Sequence, residues 1–374
     1  MMPPVADREI KALTALRGLA AMAVVLQHFS TTAQSLCVET IPSLVPHGYM
    51  AVDFFFVLSG FIMSYTYAAS FERDGIDAYG PFLLKRVGRL FPLGIVLTFV
   101  IVALGGIAAL FDARSLFLSD HVMEAGLVSS IVVDVLNLQV FSNAHNINPP
   151  SWSISVEMGA YLAFPLLVVV LFNARRSLSA AYLIVAVGLL VNEALSEPRL
   201  GFDNLSTTFD FIRCFAEFGF GMITYRLYRA SPTARRIGED RWTWLVAVVA
   251  AAALLSRLDL VIAATLPFVV LAGACNRGMP SRWLSSRVPY YIGTISFSIY
   301  LIHDILRKPE LALFTWLHPE PVSRPIALGL ALLGSLTVIP FAALAFRTVE
   351  NPGRHAIRKV ADHLRKPVAA WTTR

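Results

Sequence analysis

Cysteine and charge are both scarce in this chain of 374 residues. The three cysteines, Cys37, Cys214 and Cys275, lie far apart, so no metal-ligand spacing and no disulfide framework is visible. No metal is expected, and the cysteines read as small apolar packing residues. Charged residues make up 15% of the chain against 56% hydrophobic, where soluble domains carry about 25% charged residues. A water-soluble fold is therefore excluded. The net charge of +6 comes from Arg and Lys in short patches between apolar stretches. No basic stripe interleaved with aromatics exists, so nucleic acid is not an expected partner. Internal repeats and low-complexity tracts are missing too. No Ser or Cys stands in a nucleophile motif such as G-x-S-x-G, which disfavours chemistry through a covalent enzyme intermediate.

What fills the chain is a series of long apolar runs. A spanning helix needs roughly 20 mostly apolar residues. Candidate spans are 12–30, 49–68, 90–111, 152–172, 179–195, 209–227, 242–257, 258–275, 290–306 and 325–347. The expected fold is an all-α polytopic transmembrane bundle of about ten spans. It forms one membrane-embedded domain over 1–354 and ends in a short basic cytoplasmic tail, 355–374. The first apolar run carries Arg17 and His28 and is too long for a secretory signal, so it reads as an uncleaved span. The stretch 122–141 is ambiguous. Lys and Arg gather on the cytoplasmic side of membranes. If 122–141 does not cross, the basic loops 69–89, 228–241 and 276–289 all face the cytoplasm, and so do both termini. Asp120, His121, Glu124, Asp134 and Asn137 also make it a costly span. It is expected on the outer face, together with the segment 142–151.

Ionisable residues inside spans are expensive and are functional candidates by default. Arg17 and His28, eleven positions apart, share one helix face, roughly 16 Å apart along the axis. Arg17 falls near the inner end and His28 toward the outside. Asp53, near the outer end of the second span, is a natural partner for the imidazole. Arg86 and Arg89 are three apart and project to one side at the cytoplasmic face, where paired guanidiniums suit phosphate recognition. Trp152, Ser153, Glu157 and Tyr161 open the fourth span, with Glu157 and Tyr161 sharing a face as i and i+4. His303, followed by Asp304, lies near the outer end of the ninth. This layout suits a donor arriving from within and an acceptor from without. His28 is the best general base for a hydroxyl, since an imidazole titrates near neutrality, and Asp53 or Glu157 would orient it. Trp152, Ser153, Tyr161 and His303 would support the acceptor side. A proton-coupled transporter is the alternative, because it would also place His, Asp and Glu within spans.

These blocks resemble the membrane-bound acyltransferase-3 family, whose members include O-acetyltransferases of exopolysaccharide, lipopolysaccharide and Nod factor. The match runs from Leu13 to about Arg354. Arg17 and His28 meet its Arg-x10-His motif, Val52 to Phe61 its VDxFFVLSGF block, and Arg86 and Arg89 its RxxR. Trp152 to Glu157 meet its WSLSVE-type block, with Ile154 where Leu is common. Ser296 to His303 meet SYSIYLxH, with Phe297 for Tyr, and Glu350, Pro352 and Arg354 meet ExPxR. The resemblance implies acyl-CoA, in the simplest case acetyl-CoA, as co-substrate, with nothing bound permanently. It implies an essential His28 and an RxxR near the donor. The acceptor would be a polysaccharide or lipid-linked glycan, and the location the inner (cytoplasmic) membrane among its lipids. Some relatives carry a fused SGNH hydrolase-like domain; none is expected here.

Overall fold

The structure is a computed structural model that describes residues 9–40, 43, 45–142, 146–173, 176–196, 202, 207–256 and 258–364. Among them the architecture is all-α. In chain order the helices are α1 (Lys11–Ala33), α2 (Ala51–Asp74), α3 (Tyr79–Ala109), α4 (Asp120–Glu124), α5 (Leu127–Val135), α6 (Trp152–Val168), α7 (Arg176–Ser196) and α8 (Thr207–Ala230). They continue with α9 (Pro232–Arg236), α10 (Asp240–Ser256), α11 (Asp259–Cys275), α12 (Met279–Leu284), α13 (Arg287–Thr294), α14 (Ser296–Leu317), α15 (Arg324–Ala345) and α16 (Asn351–Leu364). A π-turn, Phe346–Glu350, joins α15 to α16.

Five helical stretches are long and apolar enough to cross a bilayer: Lys11–Leu36, Gly48–Ala109, Pro149–Phe172, Ser177–Leu195 and Arg324–His363. The second holds both α2 and α3. These stretches make the chain a multi-pass membrane protein. The other four expected spans are helical as well but fall short on composition or length. α8 carries Asp210, Arg213, Glu217, Arg226 and Arg229, α14 carries Asp304, Arg307, Lys308 and Glu310, and α10 and α11 have 17 residues each. The ambiguous stretch 122–141 breaks into α4 and α5, of 5 and 9 residues, around Gly126 at φ +91°. At 1.5 Å per residue neither approaches the ~30 Å of a hydrocarbon core. Of the segment 142–151 expected outside, residues 143–145 lie outside the described residues.

The chain groups into two units, one of Met1–Thr66 with Val169–Ala342, the other of Tyr67–Val168 with Ala343–Arg374. In the first unit, small residues bring backbones into contact, as membrane helices without a hydrophobic driving force require. A Cβ on Gly60 of α2 would lie 1.9 Å from the Phe218 carbonyl oxygen, and one on Gly221 of α8 would lie 1.9 Å from that of Val57. The two helices thus pack backbone to backbone, and α2 and α8 run parallel, since Asp53 meets Arg213 at one end and Phe61 meets Tyr225 and Tyr228 at the other. Gly18 and Gly293 do the same for α1 against the α13–α14 junction, with 2.4 Å from a Gly18 Cβ to the Gly293 nitrogen.

In the second unit α16 lies antiparallel along the start of α3. Lys85 pairs with Asp362 at 3.0 Å, Gly88 faces Ile357, and Gly353 faces Pro92. Ala361 is fully buried, whereas Arg354, Arg358 and Lys359 are exposed, so α16 is amphipathic. The helix runs through 355, the expected start of the tail; residues 365–374 lie outside the described residues.

Candidate active site

His28 is exposed, and its ring centroid lies 5.1 Å from that of His303. His303 is only 1% exposed. Its Nδ1 bonds the Tyr300 carbonyl oxygen at 2.5 Å. A carbonyl can only accept, so Nδ1 carries the proton and Nε2 keeps its lone pair. That Nε2 is buried and has no hydrogen-bond partner. Two clamps hold this pair. On one side Arg17 donates through Nε to Ser296 Oγ at 2.9 Å and through its terminal nitrogen to the Gly293 carbonyl at 3.0 Å. Gly293 lies in the last turn of α13, where its carbonyl also accepts from the Ser296 hydroxyl at 2.8 Å, so Arg17 reinforces the break that launches α14. On the other side Arg307 donates to Asp304 Oδ1 through Nε at 2.8 Å and to Thr32 Oγ1 at 2.6 Å. Arg17 with Ser296, His28 with His303 and Thr32 with Arg307 follow one another in order, so α1 and α14 run parallel. The shared face predicted for Arg17 and His28 is real: both point at α14. Arg17, however, is engaged in holding a helix junction.

Asp53 requires a correction. Its carboxylate, fully buried, takes a bidentate pair of hydrogen bonds from Arg213, whose Nε lies 2.5 Å from Oδ1. Arg213 also donates to the Phe202 carbonyl at 2.8 Å. The expected imidazole partner is therefore not what Asp53 meets. The close α2–α8 approach at Gly60 and Gly221 delivers it to Arg213 instead. Asp210 and Glu217 stand with Arg213 on the same face of α8, at 6% and 1% exposure, and the Glu217 side chain meets that of Asp53. Three buried carboxyl groups thus surround one guanidinium. The sequence signal for this cluster is D-x2-R-x3-E within the candidate span 209–227, where positions 210, 213 and 217 share a helix face.

The remaining residues belong to the second unit. Tyr161 donates to Glu157 at 2.5 Å, as their i, i+4 spacing predicts. Arg86 lies over the rings of Tyr67 and Tyr161, at 5.3 and 5.9 Å, and donates to the Tyr67 hydroxyl at 2.9 Å; its buried Nε has no partner. Arg89 sits 3.5 Å from Glu350. Ser153 is buried with its hydroxyl 3.3 Å from the Pro150 carbonyl, and Trp152 beside it is half-buried. The start of α6 is held by a polar knot: Asp134 accepts from the Asn148 backbone at 3.1 Å and from Gln139 at 3.3 Å, and Gln139 also donates to Ser151 at 3.0 Å. Burial pushes the Asp134 carboxyl up to about 6.

An acyltransferase domain family model matches residues 10–345. The chain belongs to the acyltransferase-3 family. An acyltransferase of Streptomyces mycarofaciens, named MdmB, is 32% identical over 174 residues, 44% of this chain and 40% of that protein. A provisionally named O-acetyltransferase of Staphylococcus aureus (strain COL) is 24% identical over 379 aligned residues, covering 93% of this chain. A provisionally named peptidoglycan O-acetyltransferase of Bacillus subtilis (strain 168) is 25% identical over 203 residues, 51% of this chain and 29% of that protein. The chain spans 58% of the length of the staphylococcal relative. No solved structure matches it significantly. As an acyltransferase-3 protein, it carries the two arginine–histidine motif residues on α1, the RxxR pair on α3 and His303 on α14, all inside or within a few residues of helices that position them.

Proposed function

We propose that the protein is an integral membrane O-acyltransferase that moves an acyl group, in the simplest case acetyl, from cytoplasmic acyl-CoA to a hydroxyl of an exported or cell-surface glycan. The observation that carries this reading is the His28–His303 pair. An accessible imidazole stands against a buried one whose free lone pair can accept an N–H from it, between two arginine clamps. His28 would take the acceptor's hydroxyl proton as its oxygen attacks the thioester carbonyl. The new C–O bond forms, the C–S bond breaks, and the proton leaves on the CoA thiol. His303 would orient His28 in place of Asp53, and Glu157, the other residue expected in that role, accepts from Tyr161 in the second unit. Arg86 and Arg89 would meet donor phosphates. The relatives' names point to O-acetyl transfer, and one names peptidoglycan as acceptor, which keeps the acceptor class at glycans, free or lipid-linked. Family membership weighs against the transporter reading.

The same proposal includes about ten spans with both termini in the cytoplasm of an inner-membrane protein. Helix direction supports it. α2 and α8 run parallel, as do α1 and α14. Parallel pairs need an odd number of crossings between them, which holds if α3, α6, α7, α10 and α11 each cross and 122–141 does not. Purified protein incubated with labelled acetyl-CoA and candidate glycans tests the activity. Label transfer to glycan supports it; binding of acetyl-CoA without transfer to any glycan, lipid-linked forms included, counts against it.

A further inference from the structure

The second unit concentrates positive charge where α16 crosses α3. Lys85, Arg86, Arg89, Arg354 and Arg358 gather there against three carboxylates, Glu157, Glu350 and Asp362. Two of those acids are already shared out: Asp362 lies 3.0 Å from Lys85 and 3.7 Å from Arg358, and Glu350 lies 3.5 Å from Arg89. Glu157 accepts from Tyr161. Arg354 makes no salt bridge of its own among the described residues: Glu350, one turn back, attracts it but is shared with Arg89. The glycine contacts explain why it stands where it does. Gly353 leaves no room for a side chain, since a Cβ there would lie 2.5 Å from Pro92, and one on Gly88 would lie 2.9 Å from Ile357. These two contacts flank Arg89 and press the backbone around Arg354 onto the RxxR turn. The cost shows in the charge: the Arg354 guanidinium is pushed down to about 10, chiefly by Arg89 beside it. Guanidiniums crowded together at a water-facing helix surface, one with a buried and unpartnered Nε–H, favour a multivalent anion.

We propose that Arg354 of α16 completes, with Arg86 and Arg89, a site for a polyphosphate anion, and that α16 is the wall of the pocket that receives the nucleotide end of the acyl donor. This rests on the donor reading above and adds a residue, an element and a ligand moiety to it. The pyrophosphate or the ribose phosphate of CoA supplies the charge; the acyl-pantetheine arm does not use this site. An anionic lipid headgroup offers the same chemistry, and the experiment separates the two.

Full-length protein in nanodiscs is titrated with acetyl-CoA and with S-acetyl-pantetheine, which lacks every phosphate. One set of discs is phosphatidylcholine alone and the other contains phosphatidylglycerol. Arg354→Ala should weaken acetyl-CoA binding about 10–100-fold in both lipids and leave the weak S-acetyl-pantetheine binding unchanged, with Arg354→Lys intermediate. Inorganic pyrophosphate should displace acetyl-CoA from the wild-type protein, a measurement that stands even if the alanine variant does not fold. Wild-type affinity in Arg354→Ala, or no competition by pyrophosphate, overturns the proposal while leaving the donor reading intact. A loss seen only with phosphatidylglycerol assigns the site to lipid and also overturns it. If the wild-type protein binds no acetyl-CoA at all, the donor reading itself fails.

Discussion

Replacing Asp53 by Asn separates two accounts of one residue. In the structure Asp53 belongs to Arg213, fully buried and doubly hydrogen-bonded. Asn keeps the shape but cannot accept both donors of the fork, and it leaves the guanidinium without its main counter-charge. Removing one partner of a buried ion pair costs about 3–5 kcal/mol, because a desolvated charge is left behind. Asp210 and Glu217 are close enough to soften this, so the lower end of that range is expected. Replacing both partners by apolar residues, Asp53→Leu with Arg213→Met, should cost much less than the two single changes added together. The assay is thermal unfolding of purified protein in one detergent, read as a double-mutant cycle. A coupling of at least ~2 kcal/mol is expected on the range for contacting, networked residues. Arg213→Lys should fall between, since an ammonium cannot make the bidentate contact. An Asp53→Asn protein that unfolds like wild type yet has lost acyl transfer refutes the argument. Asp53 would then act on the chemistry, as the sequence alone suggests.

Arg17→Ala should loosen the α13–α14 junction and lower activity with a raised unfolding rate, and Ser296→Ala should do the same more mildly; proteolysis between Thr294 and Ser296 reports it. Gly293→Ala should be worse than either, because its Cβ would meet the Thr14 carbonyl oxygen at 1.9 Å; failure to accumulate in membranes is the expected readout. The Asp134 carboxyl is raised from 3.8 to about 6, so its protonated form is favoured by folding. The contribution is full below pH 3.8 and is lost as pH rises through about 6, a change of up to about 2–3 kcal/mol. A cysteine placed at Ser151 should therefore be labelled more slowly at pH 5 than at pH 7.5 after correction for thiol ionisation, and the difference should vanish in Asp134→Leu. Arg86→Ala and Arg89→Ala should each weaken acetyl-CoA binding about tenfold or more, with partial rescue by Lys; unchanged affinity in both removes the donor role.

Hydrophobic length and charge placement carried most of the fold. Most candidate spans fall on one helix, whereas 290–306 is split between α13 and α14 at Ile295, and the polar residues of 122–141 mark a stretch that breaks into two short helices. The motif spacing carried the His28 face and the Glu157–Tyr161 bond, because both are local helical periodicities. Partnerships between distant segments were not legible. Asp53 has one attractive histidine partner in the sequence and one arginine partner in space, and only the helix approach at Gly60 and Gly221 decides between them. Arg17 meets Ser296 and the Gly293 carbonyl because α1 lies against the last turn of α13, a partnership that nothing local to Arg17 shows. The polar face of α16 dominates its composition; its inward positions, half-buried Ile357 and fully buried Ala361, become meaningful only against Gly88.

The central claim is that His28 is a base rather than a packing residue, and His28→Gln tests it most directly. Gln fills a similar space and can hydrogen-bond, but it cannot accept a proton near neutrality. Its exposed position predicts little loss of stability. The measurement is single-turnover transfer from labelled acetyl-CoA to glycan, with donor affinity determined in parallel. The account predicts unchanged acetyl-CoA affinity and a transfer rate lowered ~10²–10⁴-fold. A His28→Gln protein that retains most of the wild-type rate contradicts it and moves the base to His303 or Glu157.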